Sequence, residues 1–174
     1  AGFYTLEQAL ELACRRGELM QRCGEGQMLA LQMSAARWPE CQAVVQAQAA
    51  DALLVLAADN GSNSITLSGD AVAIALAQQW AQTQQVRATV LAVSQAFHSP
   101  AFAAMTAEFA QAITHIQPAA GRIPCVSDVT GELLQAADLT PAYWANQITA
   151  PVQFRQAVAV AAAATGILLE VGGH

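Results

Sequence analysis

Lysine is absent from this sequence: its seven cationic side chains are all arginine, set against thirteen carboxylates, for a formal net charge of −6. A protein that neutralises a phosphate backbone needs a net basic face, so nucleic-acid binding is not expected. Charged residues make up only 11% of the chain and hydrophobic ones 55%, which excludes a disordered, solvating polymer. Long apolar runs are missing too. The alanine-rich run Ala157–Ala164 is well short of the roughly 20 residues a membrane span needs, and Arg155 and Gln156 precede it. No basic segment leads into an apolar one at the start, so no signal peptide is read, and a cytoplasmic setting without a membrane partner is expected. Cys14, Cys23, Cys41 and Cys125 form no C-x-x-C pair and lie at no zinc-finger spacing from His98, His115 or His174. Reduced structural thiols and no metal are therefore expected. The sequence also lacks a G-x-S-x-G elbow, a Walker loop and a G-x-G-x-x-G turn. Its serines, at 34, 62, 64, 68, 94, 99 and 127, have no nucleophile context.

What is present is α/β patterning in 174 residues, the size of one domain or two small subdomains. Forty alanines favour helix. Thr5-Leu6-Glu7-Gln8 has the form of a capping box, and Leu6, Leu10, Ala13, Gly17 and Met20 come after it at helical spacing. Strand and helix signals then alternate. Strands are expected at Met28–Met33, Leu53–Ala57, Ser64–Ser68 (half-buried) and Arg87–Val93, with helices at Arg37–Gln48 and after Asp70. Asp59-Asn60-Gly61-Ser62 reads as a turn. This β-α-β-β-α-β order over residues 28–93 is the ferredoxin-like pattern. A Ser99-Pro100 cap then opens an amphipathic helix through Phe102, Met105, Phe109, Ile113 and Ile116. Further expectations are a strand at Ile123–Ser127, a helix from Pro141, another opened by Pro151 and ended by Gly166, and a buried strand at Ile167–Val171. The chain therefore divides into 1–27, a helix and loop of a larger α/β unit; 28–93, an inserted small subdomain; and 94–174, a return to the larger unit, cut short at Gly172-Gly173-His174. The absent initial methionine fits a processed chain or an excised piece.

Two residues carry candidate chemistry. His98 comes after the loop Ser94-Gln95-Ala96-Phe97 and precedes a helix start, where the dipole disfavours an imidazolium. A neutral imidazole there suits a general base. Arg16 lies in a mostly apolar helix, from which a guanidinium reaching inward grips a carboxylate with two parallel hydrogen bonds. A base without a nucleophile means that part of the site lies outside these residues.

Several segments occur together in one order: Ala1-Gly2-x-x-Thr5-Leu6-x-x-Ala9, Arg16-Gly17-x-x-Met20-Gln21, Ser68-Gly69, Ala96-Phe97-His98-Ser99-Pro100, Val129-Thr130-Gly131, Tyr143-Trp144, Pro151-Val152-x-Phe154 and Leu169-Glu170-Val171-Gly172. Together they resemble the acyltransferase domain of modular polyketide synthases, related to malonyl-CoA:acyl-carrier-protein transacylase, across essentially the whole chain. The resemblance implies an α/β-hydrolase-like core, partly represented, with an inserted ferredoxin-like subdomain. It implies ping-pong transfer of a malonyl extender from malonyl-CoA, through an acyl-serine, to the phosphopantetheine arm of an acyl carrier protein, with no bound cofactor. His98 matches the family's catalytic histidine and Arg16 the arginine that holds the free carboxylate. Gln95-Ala96-Phe97-His98 is similar to the His-Ala-Phe-His motif of malonyl-selective domains, with Gln95 a departure and Phe97 crowding the space of an α-methyl. Gln147 falls where the family supplies a group, often a backbone carbonyl, that orients the histidine. The family's Gly-His-Ser-x-Gly elbow and Gly-Gln-Gly loop are expected upstream of Ala1, and Gly173 replaces a usual proline.

Neighbouring ketosynthase and linker domains are the further partners implied. A free-standing malonyl transacylase, a non-catalytic structural or carrier-docking remnant, and an unrelated ferredoxin-like binding module are the alternative readings. Arg22, Arg122 and Arg155 are candidates to meet an acidic carrier, though nothing in the sequence puts them on one face.

Overall fold

The computed structural model describes residues 1–171. The first helix, α1 (Leu6–Met20), begins with the expected capping box, Thr5 accepting from the Gln8 N–H and the Gln8 side chain from the Thr5 N–H. Its buried side carries Leu12, Leu19 and Met20. Leu6 and Leu10, which the spacing points at a core, are exposed, because the helix packs on its neighbours through the Leu12–Leu19 side.

Next come β1 (Gln27–Leu31), α2 (Trp38–Gln48), β2 (Leu54–Gly61), β3 (Ser64–Gly69), α3 (Ala71–Thr83) and β4 (Ala88–Val90). The strands form one antiparallel sheet in the order β2-β3-β1-β4. Its register sets Leu29 opposite Leu67 and Leu31 opposite Ile65. These four side chains are fully buried against Cys41 and Val45 of α2 and Ile74, Ala77 and Trp80 of α3. Burial holds the Cys41 thiol up at about 11, so it is an inert packing group.

Several sequence expectations change here. The hairpin turns at Ser62-Asn63, beyond the expected start, so Asp59 and Asn60 lie within β2. The register shifts at Leu56/Ala58 and Asp59/Gly61 absorb the extra residues as bulges. β3 is buried on both faces from Ile65 to Gly69 because it is an interior strand between β2 and β1. β4 is shorter than Arg87–Val93, being an edge strand paired only with β1.

The remaining helices are α4 (Ala103–Ala112) and α5 (Pro141–Thr149), which pack together, and α6 (Phe154–Ala164), which lies against β2. Phe102, Met105, Phe109, Ile113 and Ile148 make a second core with Leu12 and Leu19 of α1. The two cores share no residue. A 3₁₀ turn over Pro100–Phe102 precedes α4. Ile123–Ser127 is no strand: Pro124 removes a donor, and a single bridge, Val126 to Leu133, remains. Pro151 does not open α6. Val152 instead joins β2 by a parallel bridge to Ala58, and the helix starts at Phe154. Ile167–Val171 is exposed coil, with Leu169 85% accessible, since no described strand pairs with it. Gly172, Gly173 and His174 lie outside the described residues.

Asp70 ties the small sheet to α3. Its Oδ1 accepts from the Ala73 N–H at 2.8 Å, capping the helix, and its Oδ2 accepts from the Leu53 N–H at 2.8 Å. Asp70→Ala removes the cap and orphans the Leu53 donor, a loss of about 2 kcal/mol. The check is the urea midpoint of the variant against the parent chain, which should fall with little change in slope.

Candidate active site

His98 sits on a loop that the sequence bends sharply. Its φ is +55°, the left-handed region that side chains other than glycine seldom enter. Ser99 holds the bend. Its fully buried hydroxyl donates to the Ala96 carbonyl at 2.6 Å and accepts from the Ala101 N–H, bridging the residues on either side of His98. Beneath, Ala96 packs on Gly26, where an added Cβ would stand 2.5 Å from that of Ala96. The Gly26 N–H also donates to the Ser94 carbonyl. Phe97 stacks on the fully buried Phe102 with ring centroids 5.7 Å apart and 9° between planes. The loop is therefore rigid on both sides of the imidazole.

The ring itself is fixed from α5. His98 Nδ1 is 3.0 Å from the Ala150 carbonyl oxygen. A carbonyl can only accept, so Nδ1 carries the proton and the Nε2 lone pair is free. That is the tautomer of a general base. The His98 pKa lies below its ordinary value, chiefly because the ring is buried. The Ala150 hydrogen bond opposes the shift, the positive Arg16 adds to it, and Asp128 and the Gln147 carbonyl oppose it. The main orienting group is Ala150, which the sequence did not single out. The Gln147 side chain turns toward Asp128, Nε2 to Oδ2 at 3.5 Å, while its Oε1 is buried without a partner.

Arg16 lies one turn beyond Leu12 and so on the buried side of α1. Its half-buried guanidinium has an Nε with no hydrogen-bond partner. Burial lowers its pKa and the Asp128 carboxylate opposes the change. It lines a cavity of about 210 Å³ with Tyr4, Leu12 and Trp144. Trp144 Nε1 donates to Tyr4 Oη at 2.8 Å, and that hydroxyl donates to the Leu139 carbonyl. Two larger open clefts, of about 420 and 380 Å³, contain neither His98 nor Arg16. A buried guanidinium donor without an acceptor suits an anionic ligand group.

The fold thus brings His98 and Arg16 into one electrostatic neighbourhood with Phe97 beside the base. Gln95, expected as a substrate contact, braces the loop in this structure. Its amide nitrogen donates to the Met20 carbonyl at 2.8 Å and the Cys23 carbonyl at 3.4 Å, fastening the loop to the end of α1. Asp128 is the charged member that sequence reading missed. Its one signal was an acid just before the Val129-Thr130-Gly131 turn, with Gly131 at φ +71°. Arg22 pairs with Glu108 at 3.0 Å and Arg155 with Asp59 at 2.8 Å. No group of three or more metal-ligating side chains occurs among the described residues.

Comparison with known proteins gives the arrangement its context. The chain matches the family described as acyl transferase domain over residues 1–174. It is 38% identical over 99% of its length to the spectinabilin polyketide synthase system protein NorB of Streptomyces orinoci, of which it spans 8%. It is 36% identical over 99% of its length to the mycoketide-CoA synthase of Mycobacterium tuberculosis, of which it spans 4%. Among solved structures, the acyltransferase domain from module 8 of the salinomycin polyketide synthase superposes with a TM-score of 0.84 at 28% identity, over 94% of this chain and 38% of that one. A malonyl-CoA:acyl carrier protein transacylase from Xanthomonas oryzae gives a TM-score of 0.81 at 27% identity, over 94% and 52%. With the family match running from Ala1 to His174, and so through both His98 and Arg16, this chain belongs to the acyl transferase domain family.

Proposed function

We propose that this chain supplies the base and the carboxylate clamp of a malonyl-selective acyltransferase domain within a polyketide synthase. One observation carries the reading: His98 presents a free Nε2 in the same neighbourhood as the unpartnered Arg16 guanidinium. In the reaction, the serine of the family's elbow, not contained in these residues, gives its proton to His98 Nε2 as its oxygen attacks the malonyl thioester carbonyl. His98 then protonates the departing coenzyme A thiolate. In the second half the phosphopantetheine thiol of an acyl carrier protein gives its proton to Nε2, attacks the acyl-serine, and the serine oxygen takes the proton back. Arg16 holds the free malonyl carboxylate throughout. The rigid Phe97 ring fills the space of an α-methyl.

The same reading extends to architecture and setting. Residues 28–93 form a ferredoxin-like subdomain, supported by the β2-β3-β1-β4 order. Residues 1–27 and 94–174 belong to an α/β-hydrolase-like unit. The partners are the acyl carrier protein and the neighbouring ketosynthase and linker domains of a cytoplasmic synthase. No helix among the described residues is long and apolar enough to cross a membrane.

Three variants and a pH profile test this in the full-length parent enzyme. His98→Ala slows carrier loading by about 10²–10⁴-fold, the range of a lost general base. For the unaltered enzyme, only neutral imidazole is active and burial depresses the His98 pKa, so kcat/KM falls as pH drops through a value below the ordinary 6.5. An acid limb at or above that value removes His98 from the role. Arg16→Ala lowers malonyl loading by about tenfold or more while acetyl, which has no carboxylate, loads as well as before. A parallel loss of both makes Arg16 structural. Phe97→Ser shifts competition between malonyl-CoA and methylmalonyl-CoA toward the latter by about tenfold, the worth of one methyl in a tight pocket. An unchanged ratio in the folded variant, scored by mass of the loaded carrier, moves selectivity elsewhere.

A further inference from the structure

The carbonyl that holds His98 belongs to a short segment, Ala150–Arg155, pinned from the other subdomain. Val152, two residues beyond Ala150, has both backbone groups taken by β2. Its N–H donates to the Ala57 carbonyl at 2.8 Å, and its carbonyl accepts from the Asp59 N–H at 2.9 Å. The Asp59 side chain then reaches the start of α6. Arg155 Nε donates to Asp59 Oδ2 at 2.9 Å, and Nη2 forms an ion pair with the same oxygen at 2.8 Å. Asp59 is 8% exposed, and its Oδ1 is buried with no hydrogen-bond partner. Between these anchors, the Gln153 N–H donates to the Asp128 carbonyl at 2.6 Å.

A half-buried imidazole needs its acceptor within a few tenths of an ångström to keep one tautomer. α5 alone does not provide that. The helix ends at Thr149, and the Ala150 N–H bonds back to Asn146, but the Ala150 carbonyl leaves the helix in an extended conformation. Its direction is set by the residues next in the chain, through the β2 bridge and the ion pair. A carboxylate as buried as Asp59 requires its cation, because an unpaired buried charge is costly. The small sheet and α6 are thereby locked where Val152 passes between them.

We propose that Asp59 and Arg155 are positioning residues for His98, a latch by which the small subdomain sets the Ala150 carbonyl and hence the imidazole. The inference rests on the functional reading only for its consequence in catalysis. The groups facing His98 are Arg16 from α1, Asp128 from its loop, and the Ala150 and Gln147 carbonyls at the end of α5. The Arg155 guanidinium pairs with Asp59 rather than with any of them, so an effect of Arg155 on the ring travels through the pinned segment.

The test is imidazole ¹⁵N spectroscopy of the 174-residue chain, with His98 assigned among the three histidines by a His98→Gln variant. The parent chain should show His98 protonated at Nδ1. Arg155→Glu, which sets a second carboxylate against Asp59, should let the Nε2–H tautomer, intrinsically preferred by an unconstrained histidine side chain, replace it. Arg155→Lys should restore the Nδ1–H form. Arg155→Ala serves if the reversal disrupts folding, since it only removes the exposed cation. In the full-length enzyme Arg155→Ala should lower kcat for carrier loading by about tenfold with KM unchanged, as expected when a base is misplaced rather than removed. An unaltered His98 tautomer in the folded Arg155→Ala chain overturns the proposal. A tautomer shift together with a His98→Ala enzyme of normal activity would keep the latch and reject the functional reading instead.

Discussion

A single hydrogen bond, from His98 Nδ1 to the Ala150 carbonyl, organises the candidate site. Its acceptor is available because of Pro151. Proline disfavours helical geometry in the residue before it, so Ala150 adopts φ −69° and ψ 146° and ends the helix. Its carbonyl is thereby turned away from the helix ladder and left for a side chain. The donor side of the same bond is equally constrained, since the Ser99 hydroxyl closes the loop around His98 and leaves the imidazole one direction in which to project.

The two cores divide the labour. The sheet core is built from cross-strand aliphatic pairs packed under two helices. The helical core gathers aromatic rings around α4, with Phe97 and Trp144 packed at its margin, beside the candidate site. Large flat rings at that margin give stiff walls at low conformational cost. Small polar groups are satisfied locally there: Ser127 accepts from the Val129 and Thr130 N–H groups and shares a 2.8 Å hydrogen bond with Tyr143.

Much of this was legible in the sequence where the controlling forces are local. The Thr5 capping box, the Asp70 cap and the Ser99-Pro100 start all depend on residues within one helical turn, and all formed. His98 stood out for the same reason, being tied to a helix-start signal. What was not legible depends on distant chain. Ala150 acts through a carbonyl, which every residue owns and no alphabet marks. Asp128 is an ordinary turn acid until folding sets it near His98 and Arg16. Asp59-Asn60 carries turn chemistry yet lies in a strand, because pairing with β3 and Val152 outweighs the local preference. Ile167–Val171 fails in the opposite sense: its strand propensity is intact, but no described strand offers a ladder for it.

The left-handed backbone of His98 has a consequence for how the domain can change over generations. A side chain held at φ +55° carries a cost of about 1–3 kcal/mol that glycine would escape. The position therefore has a standing incentive to lose its imidazole, and on the function proposed above the most stabilising exchange there is also the one that abolishes the base. Selection for robustness alone would drift toward glycine, and only continued use of the ring opposes it. With His98 as the proposed base, a glycine at this point in an otherwise intact relative would accordingly mark a lineage that had kept the scaffold after giving up the reaction.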